Sequence, residues 1–279
     1  MSNHKLKEIL VNKLTTRYRK LGHGPPLLFL HGHRADTQKW LAFIKRFARD
    51  YTVYAPELPG QNQYTPPFSD GNPTMEHYAD FAYQFCQKLK LKRITAAGVS
   101  MGGLISIWLS IKYPQLLKKQ FLFWTPIDHQ LYTYPRIKKS IPFLRQIAKG
   151  GILLKLWQVI IFSPLLNLFL RWDVQKEEQT KEVLANEIYL WRTVDLLTWS
   201  RSLLDILSVK FNPKLKIHTP TLAVFATNDR YLNSRKTQQR YQQIFTSLRT
   251  INVNSKFHVP KGNLTREFVQ EYEEVFTSL

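Results

Sequence analysis

Ile94-Thr95-Ala96-Ala97-Gly98-Val99-Ser100-Met101-Gly102-Gly103-Leu104-Ile105-Ser106-Ile107-Trp108 is the stretch that decides how this chain folds. Ile94 to Ala97 suit a buried strand, and Leu104 to Tyr113, stopped by Pro114, suit a helix. Between them a serine sits on a sharp strand-to-helix turn. Such a turn forces its central residue into strained backbone angles and presses its neighbours together. Glycine at 98 and 102 removes the Cβ atoms that would collide there. The turn lifts Ser100 Oγ above the sheet and aims the next amide, that of Met101, at a developing anion beside the positive end of a helix. The plain alternative is a glycine-rich turn whose serine is only a helix N-cap.

Outward from this turn, strand and helix patterns alternate. Leu27 to Leu30 reads as a buried strand and Thr37 to Ala48 as a helix, with Trp40, Leu41, Ile44 and Phe47 at helical spacing. Tyr51 to Ala55 is a strand closed by the turn Pro56 to Gly60, Met75 to Leu89 a helix, and Gln120 to Trp124 a strand. The pattern resumes with a strand at Thr221 to Ala226, a helix at Ser234 to Phe245, a strand at Leu248 to Val253 and a helix at Leu264 to Phe276. This alternation predicts an α/β fold, a mostly parallel sheet with helices on both faces. Ligands of such sheets lie beyond the carboxyl ends of the strands.

Residues 127–215 break the pattern, being rich in helix formers and large apolar residues. We read a helical cap there, inserted between a first core segment, 1–126, and a second, 216–279. Its most apolar piece, Gly151 to Leu170, has a charge-free stretch between Lys155 and Arg171 that is too short to span a bilayer, and Pro164 interrupts it. Two short apolar helices lining the cap are expected. The sharper alternative is an interfacial lid. Arg136, Lys138, Lys139, Arg145, Lys149 and Lys155 interleave with Ile141, Phe143, Leu144, Ile147 and Leu153, a pattern that can rest on an anionic membrane.

At 279 residues and 44% hydrophobic, the chain can bury the core of one α/β domain with an insertion. The single cysteine, Cys86, excludes an intrachain disulfide framework and reads as a buried thiol. The first twenty residues lack the apolar run of a signal peptide, so a cytoplasmic location is expected, with peripheral contact at an anionic membrane as the alternative. The formal charge of +20 attracts polyanions, yet no zinc-finger spacing or RNP-like aromatic run accompanies it. Nucleic acid is therefore not an expected partner, and a solvated basic surface is the plain reading. No H-x-x-x-H, C-x-x-C or acidic cluster implies a metal, and no cofactor is expected. Nothing in the sequence sets the oligomeric state.

Four segments, in order and spacing, resemble the α/β-hydrolase family, in the group of capped esterase-like enzymes: LLFLHGHR at 27–34, YAPELPG at 54–60, GVSMGG at 98–103, and VFATNDRYL at 224–232 followed by KFHVP at 256–260. The resemblance runs from about Leu27 to the final helix, outside the cap. It implies Ser100 as nucleophile, His258 as base and Asp229 as the acid that orients the base, in the family's chain order. It also implies an oxyanion hole built from the backbone amides of His33 and Met101. Asp128, after another core strand, is the alternative acid. His31 reads as a structural histidine.

This chain departs from the family pattern at Ala226, three residues before the aspartate, and at Phe257, before the histidine, where glycine is usual. It departs again at Glu57 and Gln61-Asn62, where an aspartate and a His-Gly pair are usual. A carboxylic-ester hydrolase is expected, its apolar cap suited to an apolar or lipid-like acyl group and a small-molecule ester. Thioester, carbon–carbon or amide hydrolysis on the same serine is the runner-up. A non-catalytic small-ligand receptor of the same fold is the alternative of a different class.

Overall fold

A computed structural model of the chain describes residues 5–133, 135–174, 180–255, 258 and 262–277, with backbone alone for 135–138, 172 and 173. Eight strands form one sheet: β1 (Lys7–Val11), β2 (Leu14–Leu21), β3 (Pro26–Leu30), β4 (Thr52–Pro56), β5 (Ile94–Val99), β6 (Leu117–Phe123), β7 (Thr221–Ala226) and β8 (Leu248–Val253). Their spatial order is β1-β2-β4-β3-β5-β6-β7-β8. All neighbours from β4 onward pair in parallel, and only the hairpin β1–β2 and its junction with β4 are antiparallel. This is the mostly parallel sheet that the alternation predicts.

The hairpin lies ahead of the alternation read in the sequence, which begins at Leu27. Its tight turn, Asn12-Lys13, takes φ of 46° and 67°, the left-handed values that a two-residue hairpin needs and that asparagine tolerates. Strand period two divides the core residues between two layers. Leu28, Leu30, Ile94 and Ala96 join the cluster under α2 (Met75–Lys88) and α3 (Met101–Lys112), whereas Leu27, Phe29, Ala97 and Val99 join the opposite one. That second layer is closed by α1 (Leu41–Phe47) and holds an aromatic knot in which Phe43 lies 5.3 Å from Phe276 and 5.4 Å from Phe123.

Two helices are shorter than their apolar patterns suggest. Helix α1 begins at Leu41 because Asp36 first folds the chain into a turn, accepting from the Lys39 amide at 2.9 Å. The final helical run splits into α10 (Arg266–Gln270), capped by Thr265, and α11 (Glu273–Thr277). Cys86 is buried on α2, and its burial pushes the thiol well above its usual range.

Among the described residues, five α-helices lie between β6 and β7: α4 (Pro135–Ala148), α5 (Ile152–Phe162), α6 (Leu165–Asp173), α7 (Lys181–Thr193) and α8 (Leu196–Ser208). A further helix, α9 (Ser234–Ile244), follows β7. The inserted helices are continuous with the core beneath them, since Leu144, Ile147, Trp157, Ile161, Trp191, Trp199 and Ile206 share one buried cluster with α2 and α3. Helices α5 and α6 meet at Ser163-Pro164 with a bend of 86°. Among the described residues no single helix is long and apolar enough to cross a membrane.

Candidate active site

Ser100 follows β5 directly and has φ 50° and ψ −110°, a left-handed conformation that costs energy for a residue with a Cβ. Close packing around the turn holds it there. A Cβ on Gly98 would strike the carbonyl of Gly102, and one on Gly102 would strike the carbonyl of Leu30. The Ser100 amide donates to Phe123 O at 2.9 Å, tying the turn to β6. Ser100 stands at the N-cap position of α3, yet its hydroxyl makes no capping bond. Its Oγ lies instead 2.9 Å from His258 Nε2.

His258 Nδ1 lies 2.7 Å from Asp229 Oδ2. A carboxylate oxygen only accepts, so Nδ1 carries the hydrogen and Nε2 is left to accept from the Ser100 hydroxyl. Asp229 is fixed by its own backbone loop, in which Oδ1 accepts from the amides of Tyr231 at 2.8 Å and Leu232 at 3.0 Å. Its side chain is 2% exposed and that of His258 13%, so the carboxylate is shut away while the imidazole borders the cavity. The Tyr231 ring meets the imidazole edge-on at 5.5 Å. The neighbours singled out in sequence, Phe257, Val259 and Pro260, lie outside the described residues.

Asp128 is employed elsewhere. Its Oδ1 accepts from the Gln130 amide at 2.9 Å, and Oδ2 faces Arg240 Nε at 3.7 Å. Asp229 is thus the carboxylate that the fold brings to His258.

The loop after β3 carries three histidine-related features of the sequence. His31 is buried; Nδ1 donates to Gly32 O at 2.8 Å and Nε2 accepts from the Leu58 amide at 3.0 Å. Desolvation lowers it to about 4, so it is a neutral bracket between two loops. The His33 ring donates from Nε2 to Trp199 O at 3.1 Å, pinning α8 over the loop. Desolvation, and then the nearby Arg34 cation, lower it to about 3. Among the described residues, the amides of His33 and Met101 donate to no acceptor, whereas the amide of Arg34 donates to Gln61 Oε1 at 2.8 Å. Met101 follows Ser100 directly, and His33 lines the same cavity as Ser100.

The family model of the α/β-hydrolase fold matches residues 25–261. The chain belongs to the α/β-hydrolase family. It is similar to the (E)-2-((N-methylformamido)methylene)succinate hydrolase of Acinetobacter baylyi, at 32% identity over 110 residues, 39% of this chain and 41% of that protein. It is also similar to strigolactone esterase D14 of Arabidopsis thaliana, at 29% identity over 125 residues, 44% of this chain and 45% of that one. The matched region spans less than half the length of either relative. Among solved structures, the carboxylesterase CesB of Bacillus subtilis shares the fold, with a TM-score of 0.74 at 16% identity over 99% of this chain and 92% of that one.

In this α/β-hydrolase, Ser100 and His258 open into a cavity of about 260 Å³. Trp40, Tyr132, Leu203, Ile206, Leu207 and Tyr231 supply apolar walls, three of them from α8. A larger groove of about 600 Å³, between α1 and the final helices, contains none of the candidate catalytic residues. Polar groups in the cavity wall have no recognisable pattern in the sequence. Arg34, Lys39 and Glu187 all line it, and Arg34 Nη2 pairs with Glu187 Oε2 across 153 residues of chain. The Arg34 guanidinium stacks 4.4 Å above the Trp191 ring, and its Nη1 is buried with no hydrogen-bond partner among the described residues.

Glu57, a departure from the family pattern, is fully buried. It accepts from the Thr37 amide at 3.1 Å and from Asn62 Nδ2 at 2.8 Å. Asn62 is the second departure, and it serves as this carboxyl group's partner. Desolvation, with Asp36 nearby, raises Glu57 to about 8. It holds the loop after β3 against the one after β4.

Proposed function

We propose that this α/β-hydrolase is a serine hydrolase that cleaves carboxylic esters through an acyl intermediate on Ser100. One observation carries the proposal: the hydroxyl–imidazole–carboxylate chain of 2.9 Å and 2.7 Å running from Ser100 through His258 to Asp229 at the mouth of a cavity. His258 removes the Ser100 proton as Oγ attacks the ester carbonyl, and Asp229 keeps the imidazole in the accepting tautomer. The amides of His33 and Met101 hold the tetrahedral oxyanion; loss of one such donor costs about 3 kcal/mol at comparable sites. His258 then protonates the leaving alcohol and activates the water that frees the acid. No metal or cofactor enters these steps. The names of two curated relatives, an esterase and a hydrolase, accord with this class of reaction.

A helical cap formed by α4–α8 covers the site in this scheme and selects the substrate. The cavity of about 260 Å³ is smaller than the roughly 300–1,000 Å³ of common ligand pockets. Its apolar walls therefore favour a short to medium acyl chain over a long one taken in whole. A panel of p-nitrophenyl esters of rising chain length tests this. Turnover should rise from acetate to a medium chain; a maximum at acetate with no gain to octanoate contradicts it.

A second reading concerns the rest of the substrate. The Arg34 side chain, which lines the cavity, favours an ester that also bears a carboxylate, and the relative from Acinetobacter is named for a succinate. A succinate monoester should then outperform the butyrate ester of the same alcohol, and Arg34→Leu should remove that advantage.

A further inference from the structure

Among the described residues nine large apolar side chains are exposed, and seven of them fall between Ile152 and Leu168. Scattered single exposures are ordinary, but a concentration of this kind on two adjacent helices marks a surface that meets something apolar. On α5, Ile152, Leu156 and Val159 recur at helical spacing opposite the buried Trp157 and Ile161, so the helix is apolar on its outer face as well as its inner one. Ile152 is 76% exposed and Val159 65%. The stripe continues around the 86° bend through Phe162, Leu165 and Leu168, the last 66% exposed.

The charge along this face is predominantly positive, and the first acid after it is Asp173, the last residue of α6. From His129 to Trp172 the chain carries seven lysines and arginines and no aspartate or glutamate. Of these cations, Lys139, Arg145, Lys155 and Arg171 are exposed on the helices that carry or adjoin the apolar stripe, and Lys149 is exposed in the turn between α4 and α5. We propose that the bent pair α5–α6 is a docking element that lies in the interface of an anionic lipid bilayer, its apolar stripe among the upper acyl chains and its cations among the headgroups.

A bent pair of short helices, apolar outward and ringed by cations, has the composition of an interfacial element, and neither helix is long enough to span. The charge selects the occupant. A second copy of the chain, docked face to face, would bring two strongly basic segments together, and like charges repel. An anionic bilayer instead supplies both the missing negative charge and the apolar phase. Helix α8, which walls the cavity of Ser100, packs against α5. Docking therefore sets the covering helices against the lipid surface. The inference is independent of the reaction assigned to Ser100.

The test is co-sedimentation of the full chain with vesicles of phosphatidylcholine containing phosphatidylglycerol, and with vesicles of phosphatidylcholine alone, at low and high salt. Binding should require the anionic lipid and weaken at high salt. The triple variant Leu156→Ser, Val159→Ser, Phe162→Ser should bind the anionic vesicles at least tenfold less tightly. Lys149→Glu with Lys155→Glu should do the same, and Leu10→Ser, exposed on the distant hairpin, should change nothing. All these positions are exposed, so unchanged melting temperatures are expected. As a measurement independent of the truncations, Phe162→Trp should add fluorescence that lipids brominated high in their acyl chains quench. Absence of binding at low salt, binding that the triple variant retains, or a lipid-free dimer that the triple variant disperses would overturn the proposal.

Discussion

Arg34 reaches across the cavity to Glu187, placing Nη2 2.7 Å from Oε2 and joining the loop after β3 to α7. The two side chains are 12% and 1% exposed, so this ion pair is shielded from water. It fastens the inserted helices over the site together with the bond from His33 to Trp199 O.

Removing one partner of that pair leaves the other charge buried. Arg34→Ala should destabilise the protein by about 3 kcal/mol, whereas replacing both residues with leucine should restore much of the loss. Chemical denaturation of the single and double variants measures the difference. A loss below about 1 kcal/mol for Arg34→Ala would mean that the pair is open to solvent.

The turn at Ser100 depends on the absence of two Cβ atoms. Gly102→Ala would push a methyl group into the Leu30 carbonyl, and Gly98→Ala one into the Gly102 carbonyl. Neither obstacle is the flexible end of a side chain, so each variant should lose more than about 2 kcal/mol. Gly151→Ala offers a contrast, since its Cβ would meet nothing within 4 Å although its φ of 84° is unfavourable. Melting curves of the three should rank it as the mildest.

Asp229 Oδ2 lies 2.7 Å from His258 Nδ1, and in the proposed mechanism it orients the imidazole without touching the substrate. Asp229→Asn keeps the shape but offers His258 Nδ1 an amide, which favours the wrong tautomer. kcat should fall by a factor of about 10³–10⁴ while KM changes little. A comparable loss in Asp128→Asn would reassign the acid.

Two buried groups, Glu57 and His31, and the half-buried His33 set a pH window for stability. Glu57 rises to about 8 in the folded chain, so the folded state holds a proton that the unfolded state releases above about 4.5. That contribution declines as pH climbs toward 8. His31 and His33 fall to about 4 and 3, so their contribution is lost as pH drops below about 6.5. The histidines outweigh Glu57 below that value and Glu57 alone acts above it, which places the maximum near pH 6.5. Glu57→Gln should abolish the decline between pH 6.5 and 8. Melting temperature against pH for both proteins checks the sign.

How much of this was legible beforehand follows from the range of the forces involved. Ser100, Asp229 and His258 each lie in the loop that follows a strand with a local sequence pattern, and the order of strands brings those loops together. The Arg34–Glu187 pair has no local signal, because its partners are distant in sequence and neither sits in a patterned segment. The hairpin Lys7–Leu21 escapes notice because Leu14 to Leu21 includes Arg17, Arg19 and Lys20, which dilute the apolar alternation. Arg19 is nevertheless buried, its Nε donating to Thr37 Oγ1 at 2.7 Å. The single helix expected at Leu264 to Phe276 is two, with a break between Gln270 and Glu273 that leaves Phe268, Tyr272 and Phe276 all against Phe43.

The central claim is that His258, oriented by Asp229, makes Ser100 reactive, and fluorophosphonate labelling followed by peptide mass analysis tests it most directly. Wild-type protein should carry the phosphonyl group on Ser100, with Ser100→Ala unlabelled and His258→Ala labelled at least a hundredfold more slowly. A folded wild type that takes up no label, or takes it up on another residue, would contradict the account.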